Sequence, residues 1–356
     1  MMSATHPVSD ISNSTGTAFQ LSALLHRTGI SSLDHTSWIQ VTGNDRVRWL
    51  NGMATNAIQQ LANGAGTYNF FLNAQGRIQG DGYIFTQSET LLIETHASQV
   101  PTLIPYLDHY IIMDDVELKD LTGARSGLTI IGPQAAALLT QRGISDPDIN
   151  LLELRDLTWN NARLTVIHAH SPLVPRYEIW ADSDTIDALF QSLQTAGATT
   201  VASEALESLR ILEGTPRYGI DIRNSETVRD LPQETNQTRA LHFSKGCYLG
   251  QEIVERIRSR GNVHRTFQAF RLEGPLPAAG ALLETAGKQV GELTSVAAVP
   301  LDGAPTRLAL GYIRCEALDR GGTITYPGGT AVPVPSPFHP GEANSPAPAS
   351  ESSERK

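Results

Sequence analysis

Lys245-Gly246-Cys247-Tyr248-Leu249-Gly250-Gln251-Glu252 is the stretch on which the reading of this chain turns. It leads into Ile253-Val254-Glu255-Arg256, a helix-like run. Glycines at 246 and 250 permit tight or positive-φ backbone and close approach to a ligand. If a helix begins near Gln251, its free N–H groups lie just after Cys247. A helix N-terminus and nearby cations stabilise a thiolate, and Lys245 and Arg256 are the cations at hand. A cysteine so placed suits a redox thiol, a nucleophile or one ligand of a transient metal or cluster. The plain alternative is a cysteine packed under a glycine turn.

Outward from this motif, composition sets the bounds. A chain of 356 residues, 40% hydrophobic and 18% charged, is ordinary for a soluble protein with two or three domains. A formal net charge of −10 argues against broad, non-specific nucleic-acid binding, while leaving room for a local basic patch. No apolar run is long enough to span a membrane, and the polar N-terminus is not a secretory signal. With Cys247 and Cys315 as the only thiols, a cytoplasmic, reducing location is expected and a disulfide framework is not. No stable metal site is expected either. There is no C-x-x-C, Cys315 falls on an expected strand (Leu310 to Cys315), and His242 and His264 lack ligand spacing.

The fold class reads as α+β. Residues 1–18 and 336–356 are small and polar and are expected to be disordered. Strands are expected at Ser37 to Val41, Thr67 to Leu72, Gly82 to Phe85, Leu91 to Glu94, Leu128 to Ile131, Leu164 to Ile167 and Tyr177 to Trp180. Asn44 or Asp45 is placed to cap a helix through Trp49. Further helices are expected over Ser98 to His109, from Pro133 to near Gly143, around Ile186 to Leu193, and over Glu204 to Glu213. After Val263 the segments become short and rich in Gly, Pro, Thr and Val, as in a small β-barrel. The boundary is placed near Asn262, giving a body of residues 19–262 and a barrel of 263–335.

The octapeptide resembles the K-G-C-[FY]-x-G-Q-E signature of the YgfZ family, folate-binding proteins similar to the glycine-cleavage T-protein, an aminomethyltransferase. That family is implicated in maturing or repairing iron–sulfur proteins. Other segments are similar in the same order: Val41-Thr42-Gly43-Asn44-Asp45 with Leu50 to Asn56, Tyr68 with Phe71 to Ile78, Ser208 to Gly214 with Leu231 to Glu234, then Gly291 to Ser295 and Ala309 to Ile313. The resemblance implies a ring-like T-protein arrangement: two mixed α/β subdomains and a C-terminal β-barrel around a central cavity. It implies tetrahydrofolate, in some form polyglutamylated, as cofactor. It implies iron–sulfur proteins or their assembly factors as partners of a monomer.

By the same matching, Tyr68 is a wall of the folate slot and Glu178 accepts the pterin N–H pair. A carboxylate suits that task because it accepts two parallel bonds; the alternative for Glu178 is the solvent face of a strand. Arg210 is a contact candidate that could instead pair with Glu207 or Glu213. Gly246, Gly250, Gln251, Glu252 and Arg256 complete the candidate binding set. Cys247, Lys245 and Asp81 are the candidates for chemistry. Arg256, Arg258, Arg260, His264 and Arg265 form a basic group that is either a solvated face or a contact for a folate tail or an acidic partner. The T-protein carries two adjacent acids after its L-N-x-x-G-G turn, and the matching pair here is Gly80-Asp81. Gly80 in the first position implies a non-transferase branch unless Asp81 substitutes.

Overall fold

A computed structural model of the chain describes residues 8–339, apart from 145–148, 226–227, 229, 262 and 302–303. Its body is built on two sheets. The first is antiparallel and holds Gly66–Leu72, Ile78–Thr86, Leu91–His96, Thr36–Thr42 and Glu117–Asp120 in that spatial order. The second is mixed and runs Thr199–Thr200, Gly29–Ser32, Ser126–Ile131, Arg176–Ala181, Ala162–Ala169 and Leu154–Trp159. Its parallel pair is the first two strands.

Each sheet hides one face under helices. Arg46–Met53 and Val100–Asp108 cover the first through Trp49, Leu50, Leu103 and Leu107. Ala135–Gln141 and Ser183–Thr195 cover the second through Leu138, Ile186 and Leu189. The other faces meet through a small aromatic cluster in which Trp180 lies 5.3 Å from Trp38 and 5.5 Å from Phe85, both edge-on. Aromatic pairs of this geometry add about 0.5–1.5 kcal/mol each beyond their buried area.

The C-terminal strands close into a barrel because Arg265–Glu273 pairs with both Thr306–Arg314 and Gly329–Val334. The barrel joins the body through Phe267, Leu308, Leu310 and Tyr312, packed on helix Ser203–Glu213.

Some expectations need correction. Helix Val8–His26 occupies much of the segment 1–18 that polarity assigned to disorder. Leu21 and Leu24 are wholly buried against Ala205, Leu209 and Leu212, worth about 1.5–3 kcal/mol each. A helix anchored there propagates cheaply into a polar segment. Residues 1–7 lie outside the described residues. At the other end the chain stays packed through Phe338, which is buried and donates its N–H to Leu212 O at 2.7 Å; residues 340–356 and Asn262 lie outside the described residues. Cys315 opens helix Cys315–Asp319 rather than ending a strand. Asp45 precedes its helix without a side-chain cap, because its carboxylate accepts the N–H of Asp115 instead.

The octapeptide forms a turn that starts helix Gln251–Arg260. Gly250 has φ +83°, and a Cβ there would lie 2.6 Å from Asn73 O. Facing it, a Cβ on Gly76 at φ +70° would lie 2.8 Å from the Ile253 side chain. The two glycine turns therefore interlock at a spacing that excludes side chains. Gly250→Ala is expected to cost about 2–4 kcal/mol, from left-handed backbone strain plus the clash. A urea unfolding midpoint equal to that of the parent protein would contradict this.

Candidate functional site

Strand alternation decides what faces the space between the sheets. Tyr68 and Phe70 pair with Tyr83 and Asp81 across the first hairpin, so all project to the same side. Tyr68, Asp81 and Tyr83 contribute to a cavity of about 380 Å³, walled by Arg176 of the second sheet, helix Ser203–Glu213, the following loop and Arg239. That volume lies in the range of small-molecule sites.

Asp81 is the most constrained group in it. Tyr68 donates its hydroxyl to Oδ2 at 2.5 Å, and Gln99 donates Nε2 to Oδ1 at 2.7 Å. Gln99 Oε1 accepts the Asp81 N–H at 3.0 Å. Burial lifts the Asp81 carboxyl above its usual range, opposed by these hydrogen bonds. Burial lifts the Tyr68 hydroxyl as well, and the neighbouring Asp81 carboxylate adds to this. Gly80 projects the other way: a Cβ there would meet Gln99 and Leu103, at 3.0 and 3.2 Å, beneath the sheet. The cavity-facing position of the pair is therefore 81. Gly80 is no ground for taking an acid out of the cavity, since position 80 does not face it.

Arg239, which sequence reasoning did not single out, sits with its guanidinium 4.2 Å above the Tyr68 ring and donates to the Tyr83 hydroxyl at 3.0 Å. Its place is set by a strap. Asn56 donates its amide to Arg239 O at 2.8 Å, Thr55 donates its hydroxyl to Ala240 O at 2.6 Å, and His242 donates its N–H to Thr55 O at 3.2 Å. Lys245 completes the strap by donating Nζ to Asn51 O, Ala54 O and Asn56 O at 2.7, 2.7 and 2.6 Å. Burial lowers the Lys245 ammonium to about 7, while the carbonyl acceptors favour the charged form.

The candidate residues thus divide. Tyr68, Asp81 and Arg210 line the cavity. All of Arg210's N–H donors are already engaged, by Glu207, Thr215 O, Asp221 and Ser295, so it braces the wall and has none left for a ligand. Glu178 is 3% exposed, so the solvent-face alternative falls. It accepts from Arg176 at 2.7 Å and Trp180 at 3.3 Å, and lines a smaller adjoining pocket.

None of residues 245–252 lines the cavity. Lys245 gives its three donors to the strap. Gly246 has open space around it, and Gly250 serves the glycine interlock. Gln251 accepts the Tyr248 N–H at 3.1 Å, closing the turn. Glu252 and Arg256 pair with each other at 2.5 Å on an exposed helix face. Of the basic group, Arg265 bridges Asp230 and Glu234 at 2.6 and 2.9 Å, while Arg258 stays exposed and covers Phe243 at 4.5 Å. Cys247 is exposed. Among the described residues no cluster of His, Cys, Asp and Glu has the makings of a metal site, and no helix is long and apolar enough to cross a membrane.

Residues 13–245 match the GCVT N-terminal domain family. The chain is 24% identical over 329 residues to a putative chloroplastic transferase of Arabidopsis thaliana, covering 89% of this chain and 73% of that protein. It is 25% identical over 303 residues to an aminomethyltransferase of Streptomyces avermitilis, covering 82% and 79%. It is 26% identical over 248 residues to a mitochondrial iron–sulfur cluster assembly factor homologue of Neurospora crassa, covering 67% of this chain and 52% of that protein, so it spans about half of that relative's length. Glycine cleavage system aminomethyltransferase T from Bartonella henselae superposes with a TM-score of 0.81 at 20% identity, over 91% of this chain and 90% of that one. The expected T-protein fold is therefore the observed one.

The cavity carries a pH signature. Burial, with Arg239 and Arg176 nearby, lowers His170 to about 4 from its usual 6.5. The unfolded chain therefore binds more protons between those values, and this group's contribution to stability is full above about 6.5 and lost as pH falls toward about 4. His170→Gln is expected to flatten the fall in melting temperature over that window. An unchanged slope would show that His170 titrates normally.

Proposed function

This chain belongs to the GCVT N-terminal domain family, and on that premise we propose that it binds tetrahydrofolate in the central cavity and serves as an accessory factor in assembly or repair of iron–sulfur proteins. Within the family we place it with the YgfZ branch, acting as a cytoplasmic monomer. The observation that carries the folate reading is the Tyr68–Asp81–Arg239 group: a stacked aromatic wall, a hydrogen-bonded carboxyl and a cation around one cavity.

The donor set fits the cofactor. A reduced pterin needs an apolar slot and hydrogen-bond acceptors, and its glutamate tail needs cations. Tyr68 and Tyr83 would supply the slot. Asp81 and Glu94 would supply acceptors. Arg217, half-exposed at the cavity rim, would meet the tail or its polyglutamate extension. When bound, tetrahydrofolate supplies a carrier for one-carbon units. The chain's own residues bind and orient it.

The iron–sulfur part of the reading draws on the similarity to assembly-factor homologues and on Cys247. The thiol is exposed on a turn whose backbone is fixed by the glycine interlock and the Lys245 strap. A fixed, accessible thiol outside the cavity can meet a protein partner while folate occupies the interior.

A second reading is favoured by one observation. Asp81 faces the cavity, placed to orient an amine and hold its charge, so a folate-dependent aminomethyl transfer is a competing activity.

Calorimetric titration with tetrahydrofolate is expected to show binding, and Tyr68→Ala to weaken it at least tenfold. Cys247→Ser is expected to leave folate affinity and melting temperature unchanged, yet fail to restore iron–sulfur enzyme activity in a deletion strain under oxidative stress. Full complementation by Cys247→Ser would remove the thiol from the proposal. Release of methylene-tetrahydrofolate from an aminomethyl donor, abolished by Asp81→Asn, would establish the transferase instead.

A further inference from the structure

A separate pocket of about 280 Å³ lies on the barrel, with Arg265, Glu292, Tyr312 and Arg314 in its walls. None of these residues lines the central cavity. Strand alternation brings them together. Arg265 of strand Arg265–Glu273 is the register partner of Arg314 of strand Thr306–Arg314. Tyr312 is the partner of Glu292 on strand Lys288–Val299. Cross-strand partners project to the same side, as do residues two apart on one strand, so all four share one face. It is the face opposite the barrel's own core, to which Leu293 and Ile313 belong. Two arginines directly opposite one another, with β-carbons about 5 Å apart, are a destabilising pair unless something of opposite charge stands between them.

The four side chains keep bonding capacity on that face. Arg265 donates to both Asp230 and Glu234 through Nη2 alone, so its Nε and Nη1 have no partner among the described residues. Arg314 is mostly exposed and comes no nearer than 3.9 Å to Glu316, which Arg320 already meets at 3.1 Å. Glu292 accepts from Arg223 on Oε1 at 2.5 Å, and its Oε2 has no partner among the described residues. Tyr312 lies with its ring centre 4.7 Å from the Arg265 guanidinium. Its buried hydroxyl has no partner among the described residues and is an unspent donor beside the pocket. Arg223, Arg265 and Arg314 stand against Asp230, Glu234 and Glu292, so the group is neutral as a whole. A ligand with a net charge therefore meets no net attraction. One that carries both signs meets free donors and a free carboxylate oxygen.

We propose that this pocket binds a small α-amino acid as its zwitterion, with the carboxylate between Arg265 and Arg314 and the ammonium on Glu292 Oε2. Guanidinium donors match a planar carboxylate, and the bonds are charge-assisted. The carboxylate between the two arginines removes their like-charge opposition. An ammonium supplies donors and no acceptor, which suits the free oxygen of Glu292. The volume, at the lower end of small-molecule sites, suits a molecule of amino-acid size. The site is distinct from the central cavity and does not depend on the folate reading.

The test is an NMR titration of isotope-labelled L-alanine with the full-length protein. Saturable broadening of the alanine signals is expected. Acetate and methylamine, each carrying one of the two charges, are expected to bind at least tenfold more weakly, and inorganic phosphate likewise. Arg314→Ala removes an exposed side chain, so its melting temperature is expected to stay unchanged while alanine binding weakens at least tenfold. Glu292→Gln keeps an oxygen for Arg223, and an unchanged melting temperature checks the fold. It is expected to weaken alanine at least tenfold and leave acetate as it was. Excess tetrahydrofolate is expected to displace no alanine. No broadening with the wild type, equal affinity in Arg314→Ala, or displacement by tetrahydrofolate would overturn the site. Acetate or phosphate binding as tightly as alanine, or Glu292→Gln binding alanine normally, would overturn the amino acid as its ligand. None of these results bears on whether the central cavity holds folate.

Discussion

Three backbone carbonyls converge on one ammonium, and much of the site depends on it. Asn51, Ala54 and Asn56 turn their oxygens toward Lys245 at the end of a short helix. Carbonyls at a helix C-terminus have no partner within the helix and, once buried, must find one. An ammonium supplies three donors and so closes the account in a single residue. The consequence reaches the cavity, because the strap that ends in Lys245 begins at Arg239. Arg239 is held over Tyr68 by backbone attachment at and just after the turn that carries it.

The cavity is a place where charge is buried on purpose. Asp81, Glu94, Arg176 and Arg239 all face it, and isolated charges in such surroundings carry penalties of several kcal/mol. Each is offset locally. Asp81 takes two donors, burial and the nearby Glu178 hold the Glu94 carboxyl well above the usual carboxylate range, and Arg239 lies on two aromatic rings. Arg210, at the wall, is satisfied so completely that it belongs to the frame. The group with capacity to spare that marks where a ligand can enter is the exposed part of Arg217, at the cavity rim.

How much of this was legible in the sequence depends on the range of the interaction. The strands and the barrel follow from local alternation and turn residues, and the octapeptide points to its glycine turn and to the helix that follows. The period of two along Asp81, Tyr83 and Phe85 already places those residues on the face of Tyr68 and Phe70, and it sets Gly80 on the other. Reading the Gly80-Asp81 pair by adjacency alone obscured that. Arg239 and Glu94 had no local signal. Arg239 acts through a short turn pinned by residues almost two hundred positions away. Glu94 matters because a second sheet brings Glu178 against it, and no spacing in one strand reports a partner in another. The N-terminal helix was hidden for the same reason: its polar beginning is carried by Leu21 and Leu24, whose partners lie near residue 210.

The octapeptide itself changes meaning once folded. Half of its residues are committed to architecture: Lys245 to the strap, Tyr248 to a buried core, Gly250 to the interlock, Gln251 to closing the turn. A motif that spends so many side chains on holding one short turn in one shape must gain from the precision of what that turn presents. Among the residues left over is Cys247, exposed and outside the cavity. The same turn that displays the thiol is tied through Lys245 and Ala240 to the arginine that stacks on Tyr68. Cavity and thiol therefore lie at the two ends of one braced segment, Arg239 lining the cavity and Cys247 exposed outside it.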